Sequence, residues 1–452
     1  MGLKILITNN TLASRAGTEL YVRDLAVELL KRGHTPIAYS TVHGAVAEEL
    51  RAATVPVIDH LDSLGAPPDL IHGHHHLETM TALLRFPGVP AIYFCHGWLP
   101  WEESPPKFPR IMHYIAVDET CRDRLLHEHA IPDERVRLLL NFVDLKRFKP
   151  RDPLPEKPTR ALVFSNNATE ITNLPAVREA CIRSNLELDV IGNGVGNPTH
   201  RPEDVLPNYD LVFAKGRAAL EALSVGAAVI LCDVTGVGPM VTTGNMEKLR
   251  LLNFGIRTLQ KSIEVEVLTQ QIARYDAFDA MKVSSWVRQT AAMEDTLDEL
   301  IALYEEALEE HRKNPPADYA AEVRAASLYL RHWVPNLTLQ QHTRAQYEAL
   351  RIEYERIRAE CESRHGENLR QESEYLREQC QNQQKKLDAL KCQLDVLRGE
   401  YDSMQTERDT LRSELDRIYG SLTLRLHNRL IAMPWVGQTL RSCVKLIAGR
   451  TN

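Results

Sequence analysis

The sequence is poor in the features that tie a chain to a bilayer span, a disulfide frame or a nucleic acid. It has no run of about 18 apolar residues, the length a helix needs to cross a membrane. Its eight cysteines (Cys95, Cys121, Cys181, Cys232, Cys361, Cys380, Cys392, Cys443) are scattered, with no Cys-x-x-Cys pair. That spacing argues against a zinc ribbon or a disulfide scaffold and fits reduced thiols in a cytosolic compartment. A net charge of -7 lacks the basic excess of a general nucleic-acid binder. The opening "MGLKILITNN" has neither the long apolar region nor the small-residue cleavage site of a signal peptide, and reads as a strand. A soluble cytoplasmic protein, at most peripheral on a membrane, is expected.

What is present is organised in three sections. The 452 residues leave room for two or three domains. Up to about residue 312, short apolar strands alternate with amphipathic helices: "KILITN", "TELYVRDLAVELLKRG" and "TPIAYS" form one βαβ unit. "LIHGHH", "AIYFCHG" and "YIAVD" continue it, and a Pro-rich, charged stretch near 150–159 interrupts it. A second series follows in "ALVFSNN", "LELDVIGNG", "DLVFAKG" and "AAVILCD". The expected fold is α/β, two tandem Rossmann-like doubly wound domains with a cleft between them. We place them at residues 1–150 and 158–285, followed by closing helices over 286–312 that return to the first domain and a linker over 313–340.

Residues 341–420 read as a coiled coil. Leu387, Leu390, Leu394, Leu397, Tyr401, Met404, Leu411, Leu415 and Ile418 keep a 3–4 spacing, with Arg408 at the one polar core position. Tyr347, Leu350, Tyr354, Ile357 and Cys361 repeat the spacing in another phase. Such a seam favours a homo-oligomer over a single solvated helix. The last section, 421–452, carries Arg425, Arg429, Arg441, Lys445 and Arg450 and no acidic residue, alongside Leu422, Leu426, Leu430, Trp435 and Ile447. A basic amphipathic segment of this kind suits the surface of an anionic membrane; a cap on the coiled coil is the alternative.

Chemistry concentrates where strands end. In "NYDLVFAKGRAALEAL" an apolar strand hands over to a helix through Lys215, Gly216 and Arg217, and Glu221 follows one turn later. Free amides at a helix start, a glycine and two cations suit an anion. A surface pair between Arg217 and Glu221 is the plainer reading, since residues four apart share a helix face. Asn166, Asn167 and Asn193 also sit at strand ends of the second domain, where ligands of open α/β sheets gather. His72, His74, His75 and His76 invite a metal, but neighbours on a strand point to opposite faces and no Cys or carboxylate stands at ligand spacing. No metal is expected.

Six of these segments, in order, resemble the retaining glycosyltransferases of family 4, which have the GT-B fold. "AGTELYVRDLAVELLKRGH" resembles the family's glycine-containing first loop and helix. "PDLIHGHH", "AIYFCHG", "YIAVDETCRDRL" and "IPDERVRLLLNFVDLKRFKP" resemble its first-domain strands and its Asn-x-x-Asp-x-x-x-Phe-x-Pro closing segment. "LEALSVGAAVILCD" resembles its donor-binding helix and the next strand. The resemblance covers residues 1 to about 310. It implies transfer of a sugar from a nucleotide-sugar to an acceptor hydroxyl with retention, without a metal or cofactor, and with the first domain on the acceptor side. It gives His96 to the reacting sugar, Gly17 to the donor phosphate and Glu221 to the ribose hydroxyls. Lys215 and Arg217 join His96 as catalytic candidates. Gly216, Ala218, Asn166 and Asn193 are donor-side candidates, and His74 and His75 acceptor-side ones.

The chain departs from that pattern twice. The family commonly has a second glutamate eight residues before the position of Glu221, where Phe213 stands here. It also tends to carry Arg and Lys after the strand matching "ALVFS", and "NNATEITN" has neither. Lys215 and Arg217 are expected to fill the gap by neutralising the donor phosphates. The leading expectation is a glycosyltransferase of bacterial surface polysaccharide (O-antigen, capsule or exopolysaccharide), held on the inner face of the plasma membrane and acting on a glycan or lipid-linked acceptor. A catalytically degenerate GT-B scaffold that recruits assembly enzymes is the alternative. An epimerase of the same fold would need a carboxylate pair in the cleft, for which Asp118 and Glu119 are the only tempting choice.

Overall fold

The structure, a computed structural model, describes residues 2–315, 319–363, 376–396 and 410; over 335–344, 347 and 358–363 it describes the helix alone. The chain divides into two units, residues 1–126 with 131–322, and residues 127–130 with the chain from 323. Both Rossmann-like lobes lie in the first unit.

The first lobe is built on seven parallel strands: β1 (Lys4–Thr8), β2 (Thr35–Tyr39), β3 (Val57–Ile58), β4 (Leu70–His74), β5 (Ala91–Cys95), β6 (Ile111–Ala116) and β7 (Val136–Leu138), in the order β3-β2-β1-β4-β5-β6-β7. The second lobe holds β8 (Arg160–Phe164), β9 (Glu187–Ile191), β10 (Leu211–Ala214), β11 (Ala228–Asp233) and β12 (Gly236–Met240), ordered β12-β11-β10-β8-β9 with only β12 antiparallel. Alternate residues of one strand feed opposite faces. Val212, Ala214, Val229 and Leu231 join the core on one side, and Leu211, Phe213, Ala228 and Ile230 the core on the other. That is why these strands read as unbroken apolar runs: parallel sheets are covered on both faces.

Two chain segments cross between the lobes side by side. Val143 donates to Ala291 O at 2.9 Å and accepts from the Met293 amide at 3.1 Å. Phe148, beyond the first crossing, is fully buried in the second-lobe core. The return crossing comes later than the expected boundary at 285. The Ala277–Thr290 helix belongs with the second lobe, since Val283 and Val287 are buried in its core. The Met293–Lys313 helix then reaches the first lobe, where Tyr304 is buried against His72. The expected linker 313–340 is also corrected: a helix runs from Tyr319 to Ser363, as the alanine- and leucine-rich "AAEVRAASLYL" favours.

Along the helical region, Ile357 and Leu387 are buried and Leu350, Tyr354, Leu390 and Leu394 half-buried, while most of their neighbours are exposed. Expected seam positions from Leu397 onward, and the basic tail 421–452, lie outside the described residues. Among the described residues no helix is long and apolar enough to cross a membrane.

Arg110 closes the far edge of the first lobe. Its side chain is 1% exposed and donates to Leu83 O (2.6 Å), Phe86 O (3.1 Å) and Val89 O (2.6 Å), and to both carboxylate oxygens of Glu322. Removing the guanidinium would strand three carbonyls and a carboxylate. Arg110→Met is expected to cost about 3 kcal/mol, read as a lowered midpoint in thermal denaturation; an unchanged midpoint would contradict the assignment.

Candidate active site

Parallel sheets send the carboxyl ends of their strands to one edge, and the polar residues of both lobes collect there. In the first lobe the residues are histidines. His72 and His74, alternate on β4, share a face with ring centroids 4.5 Å apart. His96, just past β5, packs on His74 at 4.7 Å and shares a hydrogen bond with it, Nε2 to Nδ1, at 2.7 Å. His72 Nδ1 bonds the Tyr304 hydroxyl at 2.6 Å, and Phe94 stacks on His72. Burial pushes His96 down to about 3 and holds His72 and His74 well below the usual imidazole range, with neighbouring imidazoles adding to it. The cluster is neutral at pH 7 and can exchange hydrogen bonds with hydroxyls, not attract an anion. His96, half-buried, is its outermost member.

His75 takes the opposite side, at φ +57°, a left-handed conformation rare outside glycine. Its Nδ1 accepts from the Asn10 amide at 3.3 Å, and its Nε2 lies 3.8 Å from Glu103 Oε1. Glu103, 4% exposed, accepts the His96 backbone N–H at 2.8 Å. Burial raises its carboxyl to about 7. Thus His74 and His96 are brought together directly, and Glu103 ties His75 to the turn after β5. Sequence reasoning missed Glu103 and Tyr304, whose roles depend on contacts that no local pattern announces.

In the second lobe, Lys215 caps the Gly216–Val225 helix with extended backbone and no side-chain cap, so the first amides, at Arg217 and Ala218, receive none from it. Gly216 sits at φ +56°, which only glycine adopts without strain, and donates to Phe254 O at 2.8 Å. The Lys215 ammonium reaches Asp233 Oδ2 at 2.7 Å. Asp233, at the end of β11, is fully buried and also accepts from Ser165 Oγ (2.7 Å) and Asn167 Nδ2 (3.3 Å). Burial alone would raise its carboxyl, but Lys215, Ser165 and Asn167 outweigh it and hold the group below the ordinary carboxylate range. Asn166 and Asn193 meet each other: Asn166 Oδ1 accepts the Asn193 amide at 3.1 Å, and Asn166 O accepts the Gly194 amide at 3.0 Å. A Cβ at Gly192 would lie 1.9 Å from Ser165 O, so this contact between the loops after β8 and β9 requires glycine.

Arg217 and Glu221 form the pair that their spacing offered as the plainer reading, but largely buried and with a second carboxylate added. Arg217 Nε donates to Glu221 Oε1 at 2.8 Å, and its Nη2 bonds Asp24 on the first-lobe helix Gly17–Lys31. Asp24 is shared with Arg23; nearby, Arg15 and Arg23 pair with Glu49, and Arg147 with Glu203. A cavity of about 350 Å³ beside them is lined by most of these paired charges together with Asp144 and His200. Arg217 is therefore a tie between the lobes rather than a free cation, and Glu221, 6% exposed, has an oxygen committed to it. The reason is geometric: the i, i+4 spacing supplies one carboxylate and the facing lobe supplies another. Tyr21 stands between the two halves of the site, its ring 4.8 Å from that of His96 and its hydroxyl within the field of Arg217. Gly17 opens the same helix, exposed, and a Cβ there would touch nothing within 4 Å, so the chain's own packing does not demand glycine.

This architecture is the GT-B fold. The structure is similar to that of a glycosyltransferase from Rickettsia africae ESF-5, at 14% identity and a TM-score of 0.51, over 68% of this chain and 99% of that one. It is similar also to Anabaena HepE, solved in complex with UDP and glucose, at 16% identity and a TM-score of 0.50, over 67% and 99% of the two chains. More particularly, residues 15–147 match the family described as Glycosyltransferase Family 4. No curated protein matches the chain.

The Glu103 carboxyl gives the site a pH signature. It holds its proton to about 7 in the folded state against an ordinary 4.5, so the folded state binds more protons across that window and stability falls as pH rises through it. His75, lowered to about 4 by burial, acts in the opposite sense between about 4 and 6.5. Glu103→Gln removes the first effect alone, on the order of 3 kcal/mol at full ionisation. The variant's melting temperature relative to the parent is expected to be higher at pH 8 than at pH 5; an equal difference at both would refute the buried-carboxyl assignment.

Proposed function

We propose that this protein is a retaining glycosyltransferase that moves a sugar from a nucleotide-sugar to a glycan or lipid-linked acceptor in bacterial surface polysaccharide synthesis. The observation that carries the proposal is the edge of the second sheet, where Lys215, 31% exposed, stands at the start of a helix whose first amides its side chain leaves uncapped. A nucleoside diphosphate leaving group develops negative charge, and stabilising that charge is the main catalytic demand. Lys215 and the Arg217 and Ala218 amides supply it without a metal. Asn166, Asn193 and Gly216 shape the loops against which the rest of the donor lies, and Gly17 offers a second helix start from the first lobe. His96, backed by His74 and kept neutral by burial, exchanges hydrogen bonds with sugar or acceptor hydroxyls; His75 keeps the adjoining β4 end in place. The family 4 match over 15–147 and the likeness to Anabaena HepE, which binds UDP and glucose, support the donor class. The spaced apolar residues of the helical region support a homo-oligomer, and the basic tail a cytoplasmic enzyme resting on an anionic membrane beside its acceptor.

One observation favours a second reading. Arg217 and Glu221 neutralise each other and Asp24, as they would in a degenerate GT-B scaffold whose lobes need only stay together. A thermal-shift titration with UDP, GDP, ADP, CDP and dTDP separates the two. The enzyme reading expects stabilisation by one base, at least tenfold weaker in Lys215→Ala while the variant stays folded. No shift with any of them would leave the scaffold.

A further inference from the structure

We propose that Asp233 is a positioning residue of the donor site, fixing the Lys215 ammonium where it meets the donor's phosphates. The inference rests on the reading of Lys215 given above and deepens it. β10 and β11 lie in register with Ala214 opposite Leu231, so Lys215 leaves β10 while β11 runs on two residues to Asp233. Lys215 thus emerges beside the end of β11, and Ser165 emerges from β8 on the other side of β10. All three strand ends converge on one carboxylate, with Lys215 Nζ and Ser165 Oγ each at 2.7 Å and Asn167 Nδ2 at 3.3 Å.

The arrangement is asymmetric in exposure. Asp233 is sealed at 0% while the Lys215 side chain is 31% exposed, so the anion cannot meet a ligand but its cation can. An ammonium has three donors, and one is spent on Asp233. Two remain for phosphate oxygens, held on a side chain that would otherwise sample many rotamers. Ordering that flexible stem before the ligand arrives removes a cost that binding would otherwise carry. A surface lysine on a solvated turn would have no need of a fully desolvated carboxylate. An apolar residue of similar size would fill the same space without its desolvation cost.

A double-mutant cycle tests the proposal on the full-length protein. Binding of the nucleoside diphosphate that gives the largest thermal shift is measured by calorimetry for the parent, Lys215→Ala, Asp233→Asn, Asp233→Ala and the double variant Lys215→Ala/Asp233→Ala. Because Asp233 acts through Lys215, Asp233→Asn is expected to weaken binding about tenfold, and the double variant to bind no more weakly than Lys215→Ala alone. A structural staple would instead weaken binding by the same factor in both backgrounds, and that result overturns the inference. Ser165→Ala, which removes one neutral partner, keeps the test open should the Asp233 variants not fold; it is expected to weaken binding about threefold in the parent and not at all beside Lys215→Ala. Unchanged binding in Lys215→Ala, or no binding of any diphosphate, overturns the underlying reading and this inference together. Weakened binding in Lys215→Ala with full binding in Asp233→Asn overturns the inference alone.

Discussion

Parallel pairing is the constraint from which the arrangement of this protein follows. Each parallel strand must be followed by a crossover, so every carboxyl end emerges at one edge of its sheet. The sheet faces are sealed by apolar cores, and that edge is where polar side chains can gather without interrupting the packing. His74, His96, Ser165, Lys215 and Asp233 all stand at such ends. They come from five different strands: His74 and His96 meet at the edge of the first sheet, and Ser165, Lys215 and Asp233 at the edge of the second.

The charges that gather there fall into two kinds. Around Arg217 the cations are matched: Arg15, Arg23, Arg147 and Arg217 face Asp24, Glu49, Glu203 and Glu221. Desolvated pairs of this kind contribute little net stability against apolar replacements but are costly to break singly, so they hold position more than they add strength. Around Lys215 the match is uneven. Its carboxylate is sealed away and the ammonium is not, which leaves positive potential facing outward. An arginine with a planar fork suits the tie between lobes, and a lysine with three rotatable donors suits a ligand whose charge shifts during reaction.

Much of this was legible in the sequence, and the rest was hidden for identifiable reasons. Continuous apolar runs marked the strands, because buried parallel strands need no alternation. The turn at Lys215 and Gly216 was visible as a strand-to-helix handover, and the φ of +56° explains its glycine. The Arg217–Glu221 pair was written in its four-residue spacing. Its second carboxylate was not: Asp24 lies 193 residues earlier, on another lobe. Asp233 looked like the polar end of an apolar strand, and Glu103 like one charge of a loop, until burial and partners gave each a role. Where a linker was expected at 313–340 a helix runs from Tyr319, because good helix formers prevail there.

The matched pairs around Arg217 meet the need of a scaffold, whose lobes have only to stay together, and they occupy a guanidinium and a carboxylate that a donor would otherwise meet. The neutral histidine cluster is compatible with either reading, because buried imidazoles bonded to each other and to Tyr304 make a sound core. More weight falls on the Lys215–Asp233 pair, where an inert protein would gain from a different residue. A fully buried aspartate at the end of β11 carries a desolvation cost, and a lysine open to solvent leads the partners that hold it ionised. A scaffold would be served as well by an apolar strand end beside an ordinary surface turn. The proposed donor site would not, because it needs a cation held in place before the diphosphate arrives.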